Sequence, residues 1–187
     1  MILYDWFAPN VAYVVANGLF SGRDALTFDP DTPMTRAEFV SVIWRLAGKP
    51  DFENTAKPPY SDCEGKVWYS AAINWSTKNG IVNGIGNGLF DPDGNITREQ
   101  IVTILLRYAD YIELDHSTVS ADYKSKFADG RAVSDYADKA MSWAVGSGMI
   151  RGDENNCINP QALATRAEVA TMIMRYHMMI EETKKAE

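Results

Sequence analysis

The feature of this sequence that most limits the possible folds is a short stretch that occurs three times. It reads Thr35-Arg36-Ala37-Glu38, then Thr97-Arg98-Glu99-Gln100, then Thr165-Arg166-Ala167-Glu168. Each copy follows a Phe/Ile-x-Pro turn and opens a segment whose apolar residues recur at helical spacing. Recurrence of this kind indicates that the whole chain is built from similar units.

The three copies align without gaps from residue 6 to residue 45 of the first, at shifts of 62 and then 68 residues. The columns identical in all copies are Gly18/Gly80/Gly148, Gly22/Gly84/Gly152, Pro30/Pro92/Pro160, Thr35/Thr97/Thr165, Arg36/Arg98/Arg166 and Arg45/Arg107/Arg175. We therefore predict three repeats, at residues 1–49 (repeat 1), 60–110 (repeat 2) and 127–180 (repeat 3). Because units of this size bury little apolar surface alone, the three should share a core as one compact module.

Each repeat is expected to contain a helix, a loop bounded by glycine and a second helix. The first helices are predicted at residues 7–17, 69–79 and 135–147, and the second helices at 35–47, 97–109 and 165–179. Gly18, Gly80 and Gly148 should end the first helices as left-handed caps. No window shows the period-two alternation of a strand, so the predicted class is all-α, with a frayed end at residues 181–187.

The charge and hydropathy of the chain argue against two classes of partner. A net charge of −7 disfavours nucleic acid, which requires a basic face, and no apolar run approaches the ~18 residues of a membrane span. Residues 1–5 have neither the basic region nor the apolar core of a signal peptide, so we expect a fragment of a longer protein. Cys63 and Cys157 lie far apart, and the sequence leaves open whether they pair.

The Thr-Arg stretch has one feature that helix capping does not explain. The threonine and the Glu or Gln three residues later form the pattern of a capping box in every copy. Arg36, Arg98 and Arg166, however, fall at the first helical position, where the helix dipole disfavours a cation. Backbone N–H groups beside a guanidinium make an anion site that suits a carboxylate. The structural alternative is an ion pair with a neighbouring repeat, and the sequence leaves both open.

Two columns are further candidates for ligand contact: an aromatic residue that begins each first helix and a glycine in each loop. They are Trp6, Trp68 and Tyr136, and Gly22, Gly84 and Gly152. The aromatic side chains could belong to the core or form flat walls for sugar rings. The glycines could serve only a turn or let a ligand approach the backbone. For the Arg45 column, near the helix C-termini, the dipole indicates a structural role.

No arrangement of residues indicates catalysis. His116 and His177 are the only histidines and share no column, and the chain has no Gly-x-Ser-x-Gly, phosphate-loop or His-Glu-x-x-His motif. We therefore predict a protein that is not an enzyme and has no cofactor. The acidic stretch at residues 91–95 lacks the twelve-residue ligand spacing of a calcium loop. A calcium module and a helical scaffold for protein partners are the alternatives.

A helix, a Gly-bounded loop with Phe-x-Pro and a Thr-Arg-Ala-Glu helix start, three times over, resemble the S-layer homology (SLH) domain. The resemblance covers nearly the whole chain, and repeat 2 is the most similar, with Val82-Asn83-Gly84-Ile85-Gly86-Asn87-Gly88-Leu89-Phe90. It implies a pseudo-threefold module with grooves between repeats. Such modules hold bacterial surface proteins non-covalently on the cell wall.

The resemblance also implies a ligand and the residues that bind it. In many Gram-positive bacteria the ligand is a secondary cell-wall polysaccharide with pyruvate ketals on N-acetylmannosamine, and each ketal presents a carboxylate. Arg36, Arg98 and Arg166 would bind this carboxylate, the aromatic column would contact sugar, and the glycine column would form groove walls. The implied protein is a monomeric module of a larger extracellular surface protein, with no metal, nucleic acid or membrane insertion.

The sequence departs from the family pattern at three places. Repeat 1 lacks the Phe-x-Asp opening, which appears as Tyr60-Ser61-Asp62 in repeat 2 and as Phe127-Ala128-Asp129 in repeat 3. Gln100 replaces the glutamate of the Thr-Arg-Ala-Glu motif. The repeat 3 loop at residues 152–158 loses the second glycine and the phenylalanine and gains two acids. These departures favour the middle groove as a ligand site and disfavour the third.

Overall fold

The computed structural model describes residues 5–22, 24, 27–52 and 57–186. Within these ranges the chain forms helices and isolated β-bridges but no strand, so the all-α prediction is confirmed. The helices are α1 (Ala8–Ala16), α2 (Arg36–Leu46), α3 (Ser70–Lys78), α4 (Arg98–Tyr111), α5 (Tyr123–Lys126), α6 (Asp138–Gly146) and α7 (Arg166–Ala186). The remaining residues lie outside the described part: 1–4 at the start of repeat 1, 23, 25 and 26 in its loop, 53–56 between repeats 1 and 2, and 187 at the end.

Five of the six predicted helices begin within one residue of the predicted position, α5 was not predicted, and α6 and α7 differ in extent. Helix α6 begins only at Asp138, after a single 3-10 turn over Asp135–Ala137. Helix α7 continues to Ala186, beyond the predicted end at residue 179, and in its last turns Lys184 Nζ lies 3.0 Å from Glu181 Oε1. No helix in the described ranges is long and apolar enough to cross a membrane.

Each first helix ends at a left-handed glycine, as predicted. Gly18, Gly80 and Gly148 have φ angles of +68°, +69° and +73°, a region that favours glycine. The next residue in each case is buried in the core, as shown by Leu19 and Ile81. This cap turns the chain into the loop that leads to the second helix.

The repeats pack cyclically, with the first helix of each repeat against the second helix of the preceding one. Helix α3 packs on α2, α6 packs on α4, and α1 packs on α7. The last contact joins repeat 1 to repeat 3 and closes the ring. It includes a hydrogen bond of 2.8 Å from Asn10 Nδ2 to Thr171 Oγ1, beside the buried Val11 and Val14 of α1.

Three backbone hydrogen bonds form a triangle at the centre of this ring. Met34 N donates to Ala164 O at 2.9 Å, Ala164 N donates to Ile96 O at 3.1 Å, and Ile96 N donates to Met34 O at 2.9 Å. The three residues occupy one column of the repeat alignment and are almost completely buried. The pseudo-threefold axis therefore passes through a buried polar ring whose donors and acceptors are all satisfied.

The closing contact between α1 and α7 contains a histidine whose protonation opposes folding. His177 Nδ1 is hydrogen-bonded to Tyr13 OH at 2.9 Å, and its Nε2 lies 3.9 Å from the Glu181 carboxylate. Burial lowers the pKa of His177 below its ordinary value, although Glu181 acts in the opposite direction. The unfolded chain therefore takes up this proton first, and stability should fall as pH drops through about 6.5.

We expect a His177→Gln variant to lose part of this pH dependence. The melting temperature of the wild-type protein should fall more between pH 7.5 and 6 than that of the variant, because glutamine does not titrate. Thermal unfolding at several pH values in one ionic strength would measure the difference. Identical pH profiles for the two proteins would show that His177 does not contribute.

Candidate functional site

The Thr-Arg stretches form the helix starts that the sequence predicts. Thr35 Oγ1 accepts the N–H of Glu38 at 3.2 Å, and the Glu38 carboxylate accepts the N–H of Thr35 at 2.9 Å. The other two copies repeat this reciprocal pair, with Gln100 and Glu168 in place of Glu38. The capping-box prediction is confirmed in all three repeats.

The first N–H groups of these helices are not open to an anion, which corrects part of the sequence prediction. Arg36 N donates to Gly94 O at 2.9 Å, and Ala37 N donates to Pro92 O at 3.1 Å. Equivalent bonds join repeat 2 to repeat 3 and repeat 3 to repeat 1. Carbonyl groups of the neighbouring turn thus satisfy the donors that a helix start leaves unpaired, and the helix N-termini serve ring closure.

The arginines at these helix starts also reach the neighbouring turn with their side chains, and we call Arg36, Arg98 and Arg166 the clamp arginines. Arg36 Nε donates to Phe90 O at 2.9 Å, and Nη2 donates to Asn83 O at 3.2 Å. The guanidinium carbon lies 4.9 Å from the centre of the Phe90 ring. Burial lowers the pKa of Arg36, of which only 5% is exposed. Each clamp therefore ties a second helix to the loop of the next repeat.

Two of the three clamps include an acidic partner. Arg166 Nε donates to Phe28 O at 2.9 Å, and its Nη1 lies 3.8 Å from the Glu38 carboxylate. Arg98 Nη1 donates to the Glu168 carboxylate at 3.2 Å. The ion-pair alternative that the sequence left open is therefore present at these two positions. Binding of an outside carboxylate by the clamp arginines stays a prediction.

The turn that each clamp grips is also held from within its own repeat. In repeat 2 the Asp62 carboxylate accepts the N–H groups of Phe90 at 2.9 Å and of Asp91 at 2.7 Å. Burial raises the pKa of Asp62, but these backbone donors outweigh it, so the pKa lies below its ordinary value. Asp129 holds the N–H of Ile158 in the same way at 2.8 Å. This is the structural role of the Phe-x-Asp opening.

Three grooves follow the cyclic arrangement, and all three repeats contribute to each one. One repeat supplies the glycine loop and second helix, the preceding repeat supplies a clamp arginine, and the following repeat supplies an aromatic side chain. Grooves A, B and C contain the loops of repeats 1, 2 and 3 and enclose about 300, 400 and 460 Å³. The charged, amide and aromatic lining residues are Glu38, Arg45, Trp68 and Arg166 in groove A; Arg36, Asn83, Gln100, Arg107 and Tyr136 in groove B; and Trp6, Arg98, Arg151, Asp153, Glu154, Asn159, Glu168 and Arg175 in groove C.

A second arginine lies in every groove, in the column for which the sequence indicated only a structural role. We call Arg45, Arg107 and Arg175 the groove arginines. Arg175 Nη1 donates to Met149 O at 2.8 Å, whereas the side chains of Arg45 and Arg107 make no hydrogen bond or ion pair to the residues that the structure describes. Burial lowers the pKa of Arg45 and of Arg175, because desolvation disfavours the charged form. An anionic ligand would relieve this penalty.

The aromatic column is exposed at the grooves and does not belong to the core. Trp6, Trp68 and Tyr136 expose 63%, 60% and 57% of their surface. The Trp6 ring stands nearly perpendicular to the ring of Phe7, at 86° and 5.5 Å between centroids. Tyr136 is held differently, since its hydroxyl donates to Glu99 Oε1 at 3.0 Å. An apolar ring face beside charged groups suits the flat face of a sugar.

The glycine column is required by the loop itself and also lines the grooves. A Cβ atom on Gly22 would lie 2.4 Å from Asp24 O, and one on Gly84 would lie 2.3 Å from Leu89 O. A Cβ atom on Gly152 would likewise approach an aromatic ring to 2.7 Å. Close backbone packing therefore explains the glycines, and their place in the groove walls is a second property of the same loops.

The cavity beside α1 is acidic and does not suit an anion. A cavity of about 880 Å³ lies between α1 and the following loop, and its acidic lining residues are Asp5, Asp24, Asp29 and Asp31. Cys63 is buried, Cys157 lies partly exposed in groove C, and neither forms a disulfide. The described residues contain no cluster of three or more His, Cys, Asp or Glu side chains that could hold a metal ion.

Together these features define a helical module of three repeats whose candidate binding surfaces lie between the repeats. The chain belongs to the S-layer homology domain family, whose family model matches residues 3–40, 59–102 and 126–170. The resemblance that the sequence suggested is thereby confirmed.

Similar proteins are much longer than this chain. The chain is 30% identical over 170 residues to the amylopullulanase of Thermoanaerobacterium thermosulfurigenes. The matched region covers 90% of this chain and 9% of that protein. It is 29% identical over 171 residues to the S-layer protein sap of Bacillus anthracis, covering 91% of this chain and 20% of that protein. It is also 29% identical over 170 residues to the exoglucanase XynX of Acetivibrio thermocellus, covering 90% of this chain and 15% of that protein. The chain thus spans a fifth or less of each of these relatives.

Proposed function

We propose that this chain anchors a bacterial surface protein non-covalently to the cell wall by binding an anionic wall polysaccharide in its inter-repeat grooves. The family relationship supports anchoring, since similar regions occur in S-layer proteins and in glycosidases with other domains. The observation that carries the ligand class is the repeated pairing, in each groove, of two arginines with an exposed aromatic ring. The chain would then act outside the cell, as a binding part of a larger protein.

The groove arginines are the primary carboxylate partners in this mechanism. The clamp arginines already donate to backbone carbonyls, whereas Arg45 and Arg107 have no such partners among the described residues. A guanidinium presents a planar fork of donors that matches a carboxylate. Partial burial strengthens this attraction by lowering the local dielectric. The clamp arginines add positive charge and hold the loop that forms the opposite wall.

The aromatic side chain of the following repeat completes the site. Its exposed face can pack on the ring of the sugar that bears the anionic group, while the carboxylate faces the arginines. A pyruvate ketal on N-acetylmannosamine joins a carboxylate and a sugar face in one residue and fits both demands. Several grooves on one polymer chain would raise the overall affinity above that of each groove.

Calorimetric titration with purified wall polysaccharide, with and without its pyruvate ketals, tests this function. We expect binding to the intact polymer and a loss of at least about tenfold in affinity after the ketals are removed, because the carboxylate is the charge-bearing group. Equal affinity for both polymers would retain anchoring but contradict the arginine mechanism. Absence of binding by the folded protein to either polymer would contradict the proposed ligand class.

A further inference from the structure

The three grooves differ at the third residue of the second helix, which is Glu38 in groove A, Gln100 in groove B and Glu168 in groove C. In grooves A and C the glutamate lies 3.8 and 3.2 Å from the clamp arginine. The carboxylate of the protein thus already faces the guanidinium there. In groove B a neutral amide takes its place.

The numbers of arginines and acids that line the grooves also set groove B apart from grooves A and C. Groove B is lined by two arginines and no acid, groove A by two arginines and one acid, and groove C by three arginines and three acids. Groove B is therefore the groove in which no lining carboxylate competes with a carboxylate ligand for the arginines. At partly buried positions such charges are screened less than on an open surface.

The acids near groove B do not line it. Asp62 and Asp91 act on Arg36 from the turn that it clamps, and neither lines the groove. Glu99 is 4% exposed and accepts hydrogen bonds from Ser134 N at 3.1 Å and from Ser134 Oγ at 2.8 Å, in addition to Tyr136 OH.

The same contacts fix the aromatic wall of groove B before a ligand arrives. The hydroxyl of Tyr136 is bonded to the buried Glu99, so the orientation of its ring is set by the protein. Neither Ala37 nor Ala167, the equivalents of Glu99 in the other repeats, could make such a bond. Fixing a side chain in advance reduces the entropy lost on binding.

We propose that the residue at positions 38, 100 and 168 ranks the grooves for an anionic ligand, and that Gln100 makes groove B the principal site. This inference rests on the proposed function, since it concerns the same ligand. Gln100 keeps the capping role through Oε1, which accepts the N–H of Thr97 at 3.2 Å, and its amide NH2 supplies donors where glutamate supplies only acceptors. In the other grooves a ligand must compete with a carboxylate of the protein for the clamp arginine.

Exchanging the residue types between grooves tests the ranking. The probe is a methyl glycoside of N-acetylmannosamine with one pyruvate ketal, titrated calorimetrically so that avidity does not contribute. We expect Gln100→Glu to weaken the tightest site by about tenfold, and Glu38→Gln to strengthen groove A by about three- to tenfold. Both variants keep a capping box, so the melting temperature of Gln100→Glu should stay within about 2 °C of the wild type. That of Glu38→Gln should fall further, because the ion pair with Arg166 is lost.

A neutral variant separates charge from packing. Gln100→Ala loses the cap and the amide but adds no acid, so it should bind the probe more tightly than Gln100→Glu. Unchanged affinity in Gln100→Glu, while the wild-type protein binds the probe, would overturn the ranking and leave the proposed function standing. Equal weakening in both variants would overturn it too, by assigning the effect to lost contacts. A wild-type protein that does not bind the ketal would overturn the proposed function and this ranking together.

Discussion

Replacing Arg166 by alanine should lower the free energy of unfolding by about 3 kcal/mol, the largest effect we expect from a single substitution outside the apolar core. The variant would remove the donor to the carbonyls of Phe28 and Ser21 and would remove the ion pair with Glu38. It would also loosen the contact between repeats 3 and 1, where the ring closes. The melting temperature should fall by about 6–12 °C, measurable by calorimetry or circular dichroism.

Arg131→Ala is the matched control for this change. Arg131 is exposed in a 3-10 turn outside the grooves, so its loss removes the same charge without a clamp. We expect its melting temperature to stay within about 2 °C of the wild type. If Arg166→Ala were equally harmless, the inter-repeat hydrogen bonds would not contribute to stability, and the clamp role would be wrong.

The double variant Arg45→Ala/Arg107→Ala should bind wall polysaccharide at least about 100-fold more weakly while staying folded. Both side chains line grooves and make no hydrogen bond or ion pair to other described residues, so their removal leaves no buried group unpaired. The polymer would then meet a groove arginine only in groove C. Calorimetric titration and co-sedimentation with purified cell walls would measure the loss.

The control for this variant must lose the same charge elsewhere. Arg131→Ala/Lys139→Ala also removes two cations, from exposed positions outside grooves A, B and C. It should bind wall polysaccharide within about threefold of the wild type. A similar loss in both double variants would assign binding to overall charge, and an intact Arg45→Ala/Arg107→Ala variant would exclude these residues as ligands.

Local features of this fold could be predicted because the residues that form each of them lie within a few positions of one another in the sequence. The capping boxes, the left-handed glycines and most helix starts depend on contacts three to five residues apart, so a single copy of the repeat shows them. The same local patterns recur in the other two repeats. The last turns of α7 were not predicted, because their side chains are charged and mostly exposed and show no apolar periodicity.

Contacts between repeats could not be predicted in the same way. The Arg36 side chain donates to the carbonyls of Phe90 and Asn83, 54 and 47 residues away. No residue near Arg36 in the sequence indicates these acceptors. The sequence therefore offered the helix N-termini as part of an anion site. In the structure the N–H groups of these N-termini donate to carbonyl groups of a neighbouring turn. One feature of the sequence could have indicated that the groove arginines do more than complement the helix dipole. Lysine would complement a dipole equally well, yet Arg45, Arg107 and Arg175 are arginine in every copy.

The hydrogen-bonded triangle of Met34, Ile96 and Ala164 limits how this architecture can evolve. Each corner donates to one neighbour and accepts from the other, so no bonding position is vacant for a fourth unit. Deleting one unit would strand a donor and an acceptor in the core. A fourth repeat could join the ring only if one of these bonds broke, so we expect growth by gene duplication to proceed by whole triplets, each a separate closed module.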